Sequence, residues 1–209
     1  MNKNVSLSNR RVISAIAIGL SAVMATVPIT SLAADEDIPE DNNSKEINNN
    51  LEVDEQAHFS QATLAEGAAE SAAMSADEAE RNLEAVQDMY DAASLAKSYK
   101  AAKVAADIAM VAAQEAQENA DIAKVDAETA VRAATQARAG YEGMKAESPE
   151  LSKEGSGLEK IKFNTEKAEK AAQNAKSDNE RAQAGADMAL KIARAVMDLA
   201  QKLNSGEEI

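Results

Sequence analysis

Few side chains in this sequence are suited to catalysis or to binding a metal ion. The 209 residues contain no cysteine, and His58 is the only histidine. A thiol nucleophile, a disulfide framework and a cysteine-ligated zinc site are therefore excluded. His58 has no second histidine or cysteine with which to share a metal ion, and it lies beside an acidic stretch at the predicted start of a helix. We expect an exposed or helix-terminal residue with no catalytic or ligand role.

Carboxylates are numerous, but their spacing indicates helix surfaces. The chain has 36 Asp and Glu against 22 Lys and Arg, a net charge of −14, which argues against nucleic-acid binding. Acid–base catalysis needs two carboxyl groups held together in a pocket. Pairs such as Glu128/Arg132 and Asp187/Lys191 instead have the i,i+4 spacing of ion pairs along a helix. We expect no enzymatic activity, no cofactor and no metal site.

Residues 1–33 have the three-part pattern of a secretory signal peptide. Basic residues precede an uncharged apolar run over 12–27, and Ser31-Leu32-Ala33 supplies small residues before a cleavage point. The alternative is an uncleaved membrane anchor, but Pro28 interrupts the apolar run just before the small residues. We therefore expect export and a mature chain that begins at Ala34.

Beyond the signal peptide, the composition separates a spacer from a helical domain. Residues 34–56 contain nine acids, one lysine, a proline and an Asn-rich run, which predicts a disordered acidic spacer. Alanine, the strongest helix former, follows at high density, and neither Gly nor Pro occurs over 68–139. The predicted domain of coiled-coil helices covers 57–204, with a helix over 57–144, a loop over 145–157, a helix over 158–204 and a C-terminal tail over 205–209.

An alanine seam runs along the second half of the first predicted helix. Alanines recur at heptad positions a and d over 102–137, and a similar repeat runs through the second helix. The two repeats fit in an antiparallel register that places Tyr99 opposite Leu203 and Tyr141 opposite Ile161. The predicted fold class is all-α, a long Ala-rich antiparallel coiled-coil hairpin.

A second stripe, of larger apolar residues, lies on another face of the first helix. Since the alanine seam already faces the second helix, this stripe needs a partner of its own. A break near residues 91–98 would fold the preceding segment back and give an elongated three-helix bundle. No Gly or Pro marks such a turn, so the pattern favours a continuous helix whose second stripe binds another chain. The candidate partner-binding residues are Leu83, Val86, Tyr90, Val104, Ile108, Val111, Ile122 and Val125.

These features predict a secreted or surface-associated structural or interaction protein, an extended spacer or binding rod. In composition the chain is similar to the acidic, alanine-rich helical surface proteins of Gram-positive bacteria, although no motif identifies a family. The expected partners are a second copy of the chain or another helical or cell-envelope protein, and not nucleic acid. Residues 186–203 combine apolar and basic side chains, so a lipid-binding amphipathic protein is the alternative. Because a negative net charge opposes binding to anionic lipid, membrane association is the less favoured prediction.

Overall fold

Three long helices make up almost all of the described protein. The computed structural model describes residues 42–147 and 158–206, with side chains described from Val53 onward. The helices are α1 (Asn42–Ser94), α2 (Tyr99–Glu147) and α3 (Leu158–Ser205). At 1.5 Å per residue each is about 70–80 Å long. No strand occurs in these ranges, and the predicted all-α fold is confirmed.

A short connection over residues 95–98 separates α1 from α2. The three-helix alternative, with a break near 91–98, is therefore correct, and the continuous helix over 57–144 is wrong. Ser98 marks the end of this connection: its Oγ accepts a hydrogen bond from the Ala101 N–H at 3.4 Å. This is the contact of a helix N-cap, which satisfies one of the free N–H groups at the start of α2.

The N-terminal boundary also differs from the expectation. In place of the disordered spacer expected over 34–56, residues 42–56 belong to α1. α1 makes a tertiary contact at Glu55, which forms a 3.0 Å ion pair with Lys160 on α3, and a helix that has already formed extends at little cost. The expected signal peptide over 1–33, the spacer residues 34–41, residues 148–157 of the loop and the last three residues of the tail lie outside the described residues.

Interhelical contacts define the direction of each helix. α2 and α3 are antiparallel, and the Thr165 Oγ1 lies 3.5 Å from the Ala137 carbonyl oxygen. These two residues face each other in the register predicted from the alanine seam. The Nε2 of His58 contacts the same carbonyl oxygen at 3.0 Å, which places the start of α1 beside the end of α2. α1 therefore runs antiparallel to α2 and parallel to α3.

Ion pairs with a nearly constant offset join the parallel helices α1 and α3. The basic partner is on α3 in each case: Lys160 pairs with Glu55 at 3.0 Å, Lys167 with Glu66 at 3.0 Å, and Arg181 with Asp77 at 2.9 Å and Glu80 at 3.1 Å. The hydrogen bonds that Arg181 donates to the carboxylates of Glu80 and Asp77 raise the pKa of its guanidinium. These groups are largely exposed, so each pair orients the helices more than it stabilises them.

The core between the helices consists mainly of alanine. Between Ala102 and Ala137, the alanines of the heptad seam on α2 are at most 6% exposed. The largest fully buried side chains are only Ile161, Val86, Val196 and Thr165. Small side chains on facing helices allow the axes to approach to the lower end of the usual 8–10 Å range. Each contact buries little apolar area, so the stability of the fold depends on the length of the helices.

Candidate interaction surface

His58 is a buried structural residue between α1 and α2. It is 6% exposed, so the expectation of an exposed side chain is wrong. Its Nδ1 lies 2.8 Å from the Asp54 carbonyl oxygen and its Nε2 lies 3.0 Å from the Ala137 carbonyl oxygen. A neutral imidazole has one N–H and donates to one of these oxygens, whereas the imidazolium donates to both. Gly140 leaves room for the ring, because a Cβ there would lie 2.9 Å from Cε1 and Nε2 of His58.

The polar contacts of the His58 ring in the described part of the chain are with the backbone. Both ring nitrogens face backbone carbonyl oxygens, and no nucleophile or second acid–base group contacts them in the described residues. No group of three or more metal-ligating side chains occurs in the described part of the chain either. An open groove between α2 and α3 contains Arg138, but its guanidinium already pairs with Glu142 at 2.9 Å and Glu169 at 3.4 Å.

The residues predicted as a partner-binding stripe divide into two groups. Val86 is fully buried, and Leu83 and Tyr90 are partly buried against the same core. The break at 95–98 turns this part of the stripe into the bundle, so these three residues are not available to another chain. The other five residues lie on α2 and are 48% to 61% exposed: Val104, Ile108, Val111, Ile122 and Val125.

The five exposed residues belong to one regular line along α2. Together with Glu115 and Glu118, which occupy the fourth and fifth of its seven positions, they follow alternating steps of four and three residues. We call this line the outer seam; its members are Val104, Ile108, Val111, Glu115, Glu118, Ile122 and Val125. It has the heptad spacing of the alanine seam but lies on another face of the helix. The outer seam extends for about 30 Å.

The charges around the outer seam are predominantly negative. Between Lys103 and Lys124, α2 has four acidic residues and no basic one. Over 53–94, α1 has ten acidic residues and Arg81 as its only Lys or Arg, whereas α3 has nine basic and seven acidic residues. The basic side chains of the bundle are therefore concentrated on α3, where several already pair with α1.

Only one of the acidic groups within the span of the outer seam is paired with a cation. Asp107 accepts hydrogen bonds from Lys103 at 2.9 Å, and this contact raises the pKa of the Lys103 ammonium. Asp121 accepts a hydrogen bond from Gln117 at 3.2 Å. Among the described residues, the carboxylates of Glu115 and Glu118 take part in no ion pair or side-chain hydrogen bond. The middle of the outer seam therefore presents two unneutralised negative charges.

The acidic residues of the outer seam and the start of α2 each have a signal in the sequence that the apolar pattern does not include. The steps of four and three residues include Glu115 and Glu118, but a search for apolar residues passes over them. Ser98, three residues before Ala101, has the position of an N-cap and marks the start of α2. The burial of His58 had no such signal, because it depends on the space left by Gly140 on another helix.

None of the described helices combines the length and hydropathy needed to cross a membrane. The candidate surface of the bundle is therefore a half-exposed line of β-branched residues with two acidic residues at its middle. No protein-family model, curated protein or solved structure matches the chain.

Proposed function

We propose that this is a structural or interaction protein without catalytic activity, an extended helical rod that binds a partner through the outer seam. The observation that carries this proposal is the row of five half-exposed Val and Ile side chains in heptad spacing on α2. Large apolar residues aligned along one face of a helix are typical of interaction surfaces. The bundle has no need of them for its own core, which alanine fills.

The shape of the helices supports a role as a spacer. α2 and α3 pack side by side over about 70 Å. Basic residues of α3 between Lys160 and Arg181 form ion pairs with acidic residues of α1. A closely packed alanine core resists bending because its helices have little room to move against each other. Such a rod holds a binding face at a defined distance from whatever anchors its ends.

The proposal includes export from the cell through a cleaved signal peptide over residues 1–33. The basic residues, the apolar run and the small residues before Ala34 support it. N-terminal sequencing of the protein recovered from the medium or the cell surface tests this part. We expect Ala34 as the first residue, and an intact Met1 on a cell-associated protein would contradict it.

The alternative, a lipid-binding protein, has less support from the bundle. In the segment 186–203 the apolar side chains mostly face the core: Ala186, Ala189, Ala193, Val196 and Ala200 are buried. Met188 and Met197 are the larger apolar residues of this segment that remain exposed. A lipid-binding role would require α3 to leave the bundle and expose that face.

Photo-crosslinking in the source organism tests the interaction function. Val111 on the outer seam is replaced with benzoylphenylalanine, and the exposed Lys170 on α3 serves as the matched control position. We expect a discrete covalent adduct from position 111 that is absent from position 170. Equal labelling at both positions, or none at position 111 in folded protein, would contradict a binding role for the outer seam.

A further inference from the structure

The geometry of the outer seam matches one class of partner, another α-helix. Its residues alternate in steps of four and three, the spacing at which one helix presents side chains to a second helix that packs along it. A loop or a strand has no such period, because side chains on a strand alternate every two residues. The seam from Val104 to Val125 accommodates a helix of about 20 residues.

The two middle residues define the charge that this helix must carry. Glu115 and Glu118 occupy positions of the seam that a docked helix would cover, and neither carboxylate has an ion-pair partner among the described residues. Covering them with an apolar helix would remove water from two unpaired charges, which is costly. A lysine or arginine on the docked helix removes that cost, because its ammonium or guanidinium replaces the lost water.

A second copy of the chain does not meet this requirement. In the antiparallel pair that brings the two acidic pairs together, Glu115 would face Glu118 of the second copy, with Val111 opposite Ile122 and Ile108 opposite Val125. In a parallel pair Glu115 and Glu118 would each face their counterparts. Both orientations bring like charges together at the centre of the contact, and like charges at facing positions are destabilising. The acidic character of α1 adds to the repulsion.

We infer that the outer seam docks one amphipathic helix of a different protein, with apolar residues in heptad spacing and Lys or Arg at the middle of its apolar line. This inference rests on the proposed function and specifies its partner class. The two Val and Ile clusters on either side of the acidic pair provide the apolar contact. The acidic pair selects the partner by charge and fixes its register.

Three synthetic helical peptides of about 22 residues test the inference by calorimetric titration into the full chain. The peptides share one apolar heptad line and differ only at its two central positions, which are Lys, Ala or Glu. We expect the Lys peptide to bind at least about tenfold more tightly than the Glu peptide. The double variant Glu115→Lys/Glu118→Lys should reverse this order. The matched control, Asp88→Lys/Asp91→Lys on α1, changes two exposed carboxylates with the same spacing and should leave the order unchanged.

Each other outcome overturns a distinct statement. Equal binding of the Lys and Ala peptides, lost in Ile108→Glu/Ile122→Glu, would refute the charge selection while the interaction function stands. No binding of any peptide would refute docking of a helix, and the crosslinking experiment then decides the interaction function separately. Self-association abolished by Ile108→Glu/Ile122→Glu would identify a second copy as the occupant. Binding to phosphatidylcholine vesicles abolished by the same variant would identify a membrane.

Discussion

The alanine seam and the outer seam of α2 have the same heptad spacing but differ in the size and the burial of their side chains. The alanine seam is buried and holds the smallest side chains, whereas the outer seam holds Val, Ile and Glu and is about half exposed. In an ordinary amphipathic helix the larger apolar residues face the core. α2 reverses this arrangement, because close approach of three helices leaves room only for methyl groups.

This contrast separates the residues that build the fold from those available for binding. Large side chains are excluded where the helices approach, so the larger β-branched residues of α2 lie elsewhere on the helix. α1 shows the complementary case: Val86 is fully buried in the part of the core against which Leu83, Tyr90 and Leu203 pack. Whether an apolar residue of this protein belongs to the core or to a binding surface therefore depends on how the neighbouring helices pack around it.

The largest expected effect comes from a large residue placed in the alanine seam. Ala116 is fully buried, and Ala116→Leu should lower the free energy of unfolding by about 3 kcal/mol because three additional carbons have no space there. Val111→Leu on the outer seam should change it by less than about 0.5 kcal/mol. Urea denaturation of both variants measures the difference, and similar losses would show that the two seams are equally packed.

A smaller loss is expected from the polar contact at the far end of α2. His58→Ala removes a buried ring and its hydrogen bond to the Ala137 carbonyl oxygen, and should cost about 2 kcal/mol. The neighbouring Phe59 is 52% exposed, so Phe59→Ala provides the control and should cost less than about 1 kcal/mol. Thermal unfolding measures both variants. A greater loss for Phe59→Ala would show that His58 does not hold the helices together.

Two nearby glycines of α2 should respond with opposite signs. Gly143 has open space around its Cβ position, so Gly143→Ala should stabilise the fold by about 0.5–1 kcal/mol through helix propensity. A Cβ at Gly140 would lie 2.9 Å from the His58 ring, so Gly140→Ala should destabilise by about 1 kcal/mol. In a His58→Ala background, Gly140→Ala should become stabilising. Persistence of the loss in that background would locate the clash elsewhere.

The smallest effect on stability is expected on the outer seam itself. Ile108→Ser/Ile122→Ser should change the free energy of unfolding by less than about 0.5 kcal/mol per site, because both side chains are about half exposed in the bundle. The same variant should lose the partner adduct obtained by photo-crosslinking. A loss of several kcal/mol on urea denaturation would instead mean that the chain covers this seam by itself.

The helical content and the register between α2 and α3 followed from the residue pattern. Alanine and the other helix-favouring residues determine the local conformation, and a heptad repeat determines which residues share a face. Both are properties of residues close together in sequence. The contact between Ala137 and Thr165 agrees with the register obtained in this way. The same pattern identifies the five exposed apolar residues of the outer seam.

The break at 95–98 and the division of the second stripe depended on tertiary packing. The pattern shows that Val86 and Val104 are apolar and periodic, but it does not show which neighbour covers them. Folding α1 back beside α2 and α3 buries Val86 and leaves Val104 exposed. Burial depends on where segments that are distant in sequence meet. Because alanine is common on several faces of these helices, its positions carry little information about which face is buried. The position of His58 under Gly140 was decided in the same way.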